Sequence, residues 1–155
     1  MKLEIERKFL VRNDWPRPNS GQHCVQGYIS ADKHRIVRVR IKGDQAWLTI
    51  KALKTKLTRI EYEYEIPVED AQILLDKLCI KPLIEKVRFT ICPFDHEWEI
   101  DEFLGENSGL VVAEIELEEE DQPFKLPDWI GKEVTHDPKY YNANLAANPF
   151  KNWNK

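Results

Sequence analysis

A chain of 155 residues with 42% hydrophobic content is long enough for one domain with a sizeable core and too short to favour two, so a single domain over residues 1–155 is expected. Charged residues make up 32%, and 23 basic against 27 acidic give a net charge of −4, which excludes a general nucleic-acid binder and makes any anion site local. Charges at Lys2, Glu4, Glu6, Arg7 and Lys8 argue against a signal peptide, no apolar run approaches the roughly 18 residues of a membrane span, and Cys24, Cys79 and Cys92 form no zinc-type cluster with the histidines. The expectation is a cytoplasmic protein with no nucleic-acid or membrane partner, monomeric or homodimeric.

The first segment, LEIERKFLV at 3–11, alternates with a period of two. Glu4, Glu6 and Lys8 fall on one side, Leu3, Ile5 and Phe9 on the other. After a Pro/Asn/Gly loop the pattern returns four times. Segment 22–30 sets Gln26 and Tyr28 against Val25 and Ile29, and 35–42 sets Arg38 and Arg40 against Val37, Val39 and Ile41, with a turn at Gly43 and Asp44. Segment 46–52 sets Trp47, Thr49 and Lys51 against Leu48 and Ile50. Segment 59–66 sets Arg59, Glu61, Glu63 and Glu65 against Ile60, Tyr62, Tyr64 and Ile66.

From Pro67 the period changes to that of a helix, with Ala71, Leu74, Leu75 and Leu78 on one face and Pro82 beyond its end. Alternation then resumes: Lys86 and Arg88 oppose Val87 and Phe89, Glu99 and Asp101 oppose Trp98 and Ile100, and Glu114 and Glu116 oppose Ala113, Ile115 and Leu117. The tail, with Pro123, Pro127, Pro138 and the helix-like YYNANLA, reads as loops and short helices folded over the sheet. Lys54 and Lys56 fall in a hairpin connection, and the acidic run at 117–121 reads as a solvated strand end.

Eight strands suffice to close a mainly β (α+β) barrel with a few flanking helices. The pattern leaves open which face looks inward. If the apolar face does, this is a small barrel with a charged coat. If the charged face does, some sixteen ionisable groups line a wet tunnel and need partners of both signs, as a metal–polyphosphate complex would provide.

The ExExK motif at Glu4, Glu6 and Lys8 resembles that of the CYTH family, the triphosphate tunnel metalloenzymes. The resemblance continues through QGYI at 26–29, RVR at 38–40, TIK at 49–51, RIEYEYEI at 59–66, EKVRF at 85–89, WEIDEF at 98–103, AEIELE at 113–118 and EVTHDPKYYNANLA at 133–146. It implies the charge-inward alternative: a closed eight-stranded antiparallel β-barrel with inorganic triphosphatase activity and a Mg²⁺ or Mn²⁺ cofactor. Carried over by motif, Glu4, Glu6, Glu114 and Glu116 would hold metal, and Lys8, Arg38, Arg40, Lys51, Lys86 and Arg88 would hold phosphate oxygens. Glu61, Glu63 and Asp101 would order water, orient the basic residues or help hold a second metal. Lys51 or Lys86, crowded by cations, would help activate the attacking water. Glu65 is an additional carboxylate on its strand, with Arg59 expected at the tunnel mouth as its partner. The resemblance leaves three alternatives: adenylate cyclase, nucleoside or thiamine triphosphatase, and a non-catalytic polyphosphate- or nucleotide-binding module. The C-terminal segment from Glu133 to Asn142 is expected as a plug or lid near one mouth.

Overall fold

In the computed structural model, which describes residues 1–153, all eight expected strands form and the sheet closes. Strands β1 (Lys2–Val11), β2 (Gln22–Asp32), β3 (Arg35–Lys42), β4 (Gln45–Leu53) and β5 (Thr58–Ile66) precede helix α1 (Val68–Lys77). After it come β6 (Ile84–Ile91), β7 (Trp98–Phe103) and β8 (Val111–Leu117), a short β9 (Ile130–Glu133) and helix α2 (Asn142–Ala147). Every pairing is antiparallel. Neighbours run β5, β4, β3, β2, β6, β7, β8, β1, and a β1–β5 ladder shuts the ring, removing both exposed edges.

Strand β1 serves two ladders along one edge. Its first half, Lys2 to Ile5, pairs with β5; near its end Phe9 and Val11 pair with β9, while Ile5 to Leu10 pair with β8 on the opposite edge. Strand β9 is a departure from the expected tail of loops and short helices. Its four residues, IGKE, are too few for a period to register, and they pair because β1 extends past β5.

Two further differences are local. Strand β2 runs on to Asp32 with a bulge at Ile29, which shifts the register between Tyr28 and Ser30 against β3. Helix α1 stops at Lys77, so Leu78 turns outward while Ala71 and Leu75 are buried and Cys79 takes the inner position. The tight β3–β4 connection falls at Gly43 and Asp44 as expected; Gly43 has φ +64°, the conformation glycine adopts without steric cost.

The main apolar core lies outside the ring. Over β1, β6, β7 and β8, the outward Ile5, Phe9, Phe89, Trp98, Ile100 and Ile115 pack with Trp15, Phe124, Trp129 and Ile130 from the connecting segments. Trp98, fully buried, sits edge-on to Phe9, Phe124 and Trp129 at centroid distances of 5.6, 6.0 and 6.2 Å. Helix α1 covers Val39 and Ala46 with Ala71, Leu75 and Cys79. A third cluster fills one end of the ring from inside: Tyr28, Ile36, Ile84, Phe103 and Val112, all on the inward parity, close around Ala143, Leu145 and Ala146 of α2. Among the described residues no helix is long and apolar enough to cross a membrane.

Candidate active site: a charged tunnel

Because the cores sit outside and at one end, the remaining inward positions are free to be polar. They line a cavity of about 220 Å³ in which ten basic and seven acidic side chains face one another. Each of the eight ring strands contributes by alternation: Glu4, Glu6 and Lys8 from β1, Tyr28 from β2, Arg38 and Arg40 from β3, Lys51 from β4, Glu61 and Glu63 from β5, Lys86 and Arg88 from β6, Glu99 from β7, Glu114 and Glu116 from β8. The charged-coat alternative is thereby excluded.

Cross-strand pairs neutralise most of these charges. Lys51 Nζ reaches Glu4 Oε1 at 2.9 Å and Glu61 Oε2 at 3.3 Å, and Lys8 Nζ lies 3.5 Å from Glu114. Arg38 and Arg40 share Glu63 at 3.5 and 3.7 Å. Their Nε atoms are buried without a partner, so donors remain for an anion. Lys2 meets Glu116 at 3.1 Å at the exposed rim.

Deeper, Asp101 accepts from Arg88 Nε at 2.7 Å and Nη2 at 2.9 Å and from Lys86 Nζ at 2.9 Å. Lys86 also donates to Asn142 Oδ1 at 3.2 Å, and Gln26, fully buried, donates to Tyr28 Oη at 3.0 Å and to the same Asn142 oxygen at 3.5 Å. Asp101 therefore lies behind the lining rather than in it, with both carboxylate oxygens engaged. That geometry makes it an orienting group and leaves it poorly placed for a second metal.

Electrostatics follow from this packing. Burial, only partly offset by Asp101, brings the Lys86 ammonium down to about 8. Burial works against the Asp101 carboxylate, yet Arg88 and Lys86 hold it well below the usual carboxylate range. Glu114 is likewise brought down to about 2 by Lys8 against its own burial. Glu6 goes the other way, pushed up to about 8 by burial and by its neighbours Glu114 and Glu4. It makes no ion pair among the described residues and stands directly across the β1–β8 ladder from Glu116. Crowding of Glu6 by Glu114 and Glu4 favours a cation among them.

The four carboxylates first assigned to metal have the hard oxygen donors that Mg²⁺ and Mn²⁺ take, and the crowding at Glu6 fits a cation there. As the side chains stand, no group of three or more of the described Asp, Glu, His and Cys residues converges on one point. Glu4 and Glu114 are turned onto Lys51 and Lys8 instead.

Three basic residues in the lining were not anticipated: Lys2, Lys42 and Lys33. The first two share the parity of Glu4 and Arg40 and were open to the same alternation argument; Lys33 sits in the β2–β3 turn, where no period exists. Tyr141 and Asn142 also line the cavity, as expected of a plug. Lys8 donates to the Tyr140 carbonyl at 3.4 Å, and the Arg59 guanidinium lies 5.5 Å from the Tyr141 ring centroid. Arg59 is thus not the partner of Glu65. The two lie six residues apart on β5, about 20 Å along the strand, and Glu65 is met by Gln45 Nε2 at 3.5 Å instead.

A closed antiparallel ring with its ion pairs inside and its apolar faces outside defines a tunnel protein built to hold a polyanion together with cations. The chain belongs to the CYTH family: the CYTH domain model matches residues 2–146. It is 53% identical to the inorganic triphosphatase of Acetivibrio thermocellus over 154 residues, 99% of each chain. It is 37% identical to that of Nitrosomonas europaea over 150 residues, 92% of this chain and 96% of the relative. The crystal structure of the inorganic triphosphatase NE1496 superposes with a TM-score of 0.67 at 34% identity, covering 94% of this chain and 95% of that one.

Proposed function

We propose that the whole chain acts as one domain, a divalent-metal-dependent inorganic triphosphatase that cleaves tripolyphosphate to pyrophosphate and phosphate within the tunnel. The observation that carries this is the excess of basic over acidic lining, ten against seven, in a protein of net charge −4. A cationic surplus in the cavity and around its rim calls for a compact polyanion. The two inorganic triphosphatases named above, alike along nearly their whole length, support the same reading.

In this reading Arg38, Arg40 and Arg88 hold phosphate oxygens through rigid guanidinium forks, and Lys8, Lys51 and Lys86 through point charges. Glu4, Glu6, Glu114 and Glu116 hold Mg²⁺ or Mn²⁺, which when bound neutralises developing charge on the phosphoryl oxygens. Were Glu4 to hold the metal, Lys51 would keep Glu61 and be free to turn its ammonium to phosphate. Asp101 fixes Arg88 and Lys86 in place, and Glu61 and Glu63 orient Lys51 and the two arginines. Lys86, with its lowered pKa, takes a proton from the attacking water in its neutral form; Lys51 is the other candidate for that role. Seventeen of the twenty-four lining residues are charged, so recognition rests on phosphates. A cytoplasmic setting suits this chemistry.

The test is phosphate release from tripolyphosphate, pyrophosphate, ATP and thiamine triphosphate, with and without Mg²⁺ or Mn²⁺. Tripolyphosphate is expected to be cleaved at least tenfold more efficiently than ATP, with no cyclic AMP formed. Cyclic AMP as the main product, or a preference for a nucleotide or thiamine triphosphate, would move the chain to the cyclase or organic triphosphatase reading; no phosphate from any of them would leave a binding module.

A further inference from the structure

Placing charge inside obliges each strand to bury its outward face from without. The connecting segments do this for β1, β6, β7 and β8, and α1 does it for β2, β3 and the start of β4. Strand β5 is left bare. Its outward residues Ile60, Tyr62 and Tyr64 adjoin Ile50 of β4 and Leu3 of β1 through the pairs Tyr62–Ile50 and Ile60–Leu3. Leu3, Ile50, Tyr62 and Tyr64 are 42, 42, 41 and 55% exposed. No charged side chain springs from this face, whose outward positions are Ala46, Leu48, Ile50 and Ala52 on β4 and Thr58, Ile60, Tyr62, Tyr64 and Ile66 on β5; Glu120 borders it at one end, on Thr58.

We propose that a second copy of the chain docks here, β5 against β5, giving a two-fold homodimer whose tunnels remain open. Two arguments select a second copy. The first is area. At about 200 Å² for a fully exposed large side chain, the four residues present roughly 350 Å². The half-buried Ile60 and Leu48 add to it. A standard interface takes about 800 Å² per partner, of which about 57%, or some 450 Å², is apolar, so the field is close to what a stable dimer needs with a polar rim around it. It also falls within the roughly 300–600 Å² of the largest apolar patch on a monomer, a size that often marks a contact site.

The second argument is symmetry. Tyr62 is the middle residue of β5, four from Thr58 and four from Ile66. An axis through it lays Tyr62 on Tyr62 and brings Tyr64 over Ile60 and Leu3 of the other copy, so the field is complementary to itself, as an isologous contact requires. Two facing sheets pack about 10 Å apart, a gap that inward-leaning Tyr and Ile side chains fill.

Sedimentation velocity and light scattering on the full chain at micromolar concentration decide the matter. The wild type is expected at twice the mass of the chain. Tyr62→Glu is expected at half that mass, with unchanged circular dichroism and unchanged turnover, since its side chain points away from the tunnel. Independently, Tyr62→Cys in a Cys92→Ser background is expected to be joined across the axis by a short bis-maleimide, because facing sheets about 10 Å apart hold the two thiols beyond the reach of a direct disulfide. A monomeric wild type would overturn the proposal. So would a dimer that survives Tyr62→Glu and forms no cross-link at Tyr62→Cys, because the contact would then lie elsewhere. Neither result bears on whether tripolyphosphate is the substrate.

Discussion

Asp101 grips Arg88 side-on, through Nε at 2.7 Å and Nη2 at 2.9 Å, and both side chains are largely shut off from solvent. Removing the acid leaves the buried Lys86 without a counter-charge and Arg88 with only Glu99, at 3.1 Å. Breaking such a pair from one side costs on the order of 3 kcal/mol. Asp101→Asn is therefore expected to lower the thermal midpoint clearly, to reduce kcat because both cations lose their anchor, and to recover stability when tripolyphosphate is added. Differential scanning calorimetry with and without the anion checks it.

The same carboxylate sets an acid limit. Its pKa is depressed in the folded state, so its stabilisation is complete above the unfolded value, near 4, and is lost as pH falls below that value toward the native one. Wild-type stability should drop over that window. In Asp101→Asn, the drop should be smaller. Denaturant titrations at stepped pH read the difference.

Lys86 sets the alkaline behaviour. If its neutral form accepts the proton from water, kcat/KM should rise with pH through about 8 and level off above it. Lys86→Arg, which keeps the charge but cannot become neutral, should lose the rise along with at least tenfold in kcat. A wild-type profile that instead falls through the same range would assign Lys86 to phosphate binding alone.

If Glu4 holds metal as proposed, Lys51, its ion-pair partner, competes with that metal. Taking away the ammonium at 2.9 Å should tighten metal binding by about tenfold, roughly 1.4 kcal/mol, and weaken tripolyphosphate binding. Lys51→Met titrated with Mn²⁺ by calorimetry, in the absence of substrate, tests the first half. Anion titration without metal tests the second.

Asn142 supplies the second acceptor on Lys86. Asn142→Ala should cost about 1 kcal/mol at the lysine, a few-fold in kcat with little change in KM. Asn142→Asp should restore the contact and, by adding a negative charge, move the pH rise of the activity upward.

The ring itself was legible because eight segments hold a strict period of two, and parity assigned nearly all tunnel residues to one side. Parity cannot say which side is inside. That came from the ordered motifs around Glu4, Arg38, Lys86 and Glu114, not from the alternation. Pairing is a different matter: six residues of strand already separate Arg59 from Glu65, but which groups meet across strands depends on a register that alternation does not carry. The role of Asp101 depends on depth, which a two-residue period does not carry. Strand β9 and Lys33 lie where no periodic signal exists.

Strand β1 meets β5 first, then β8, then β9, whose Glu133 lies opposite Phe9. On the ribosome, the opening ten residues must wait until more than a hundred others have emerged before their second edge is satisfied. Closure of the ring thus waits for β8 and β9, and it joins segments far apart in sequence, a topology that slows folding. Until then β1 carries an unpaired edge, and its alternating charges, Glu4, Glu6 and Lys8, guard against pairing with other nascent chains. The side chains proposed to hold the reactants would then serve first as chaperones of their own strand.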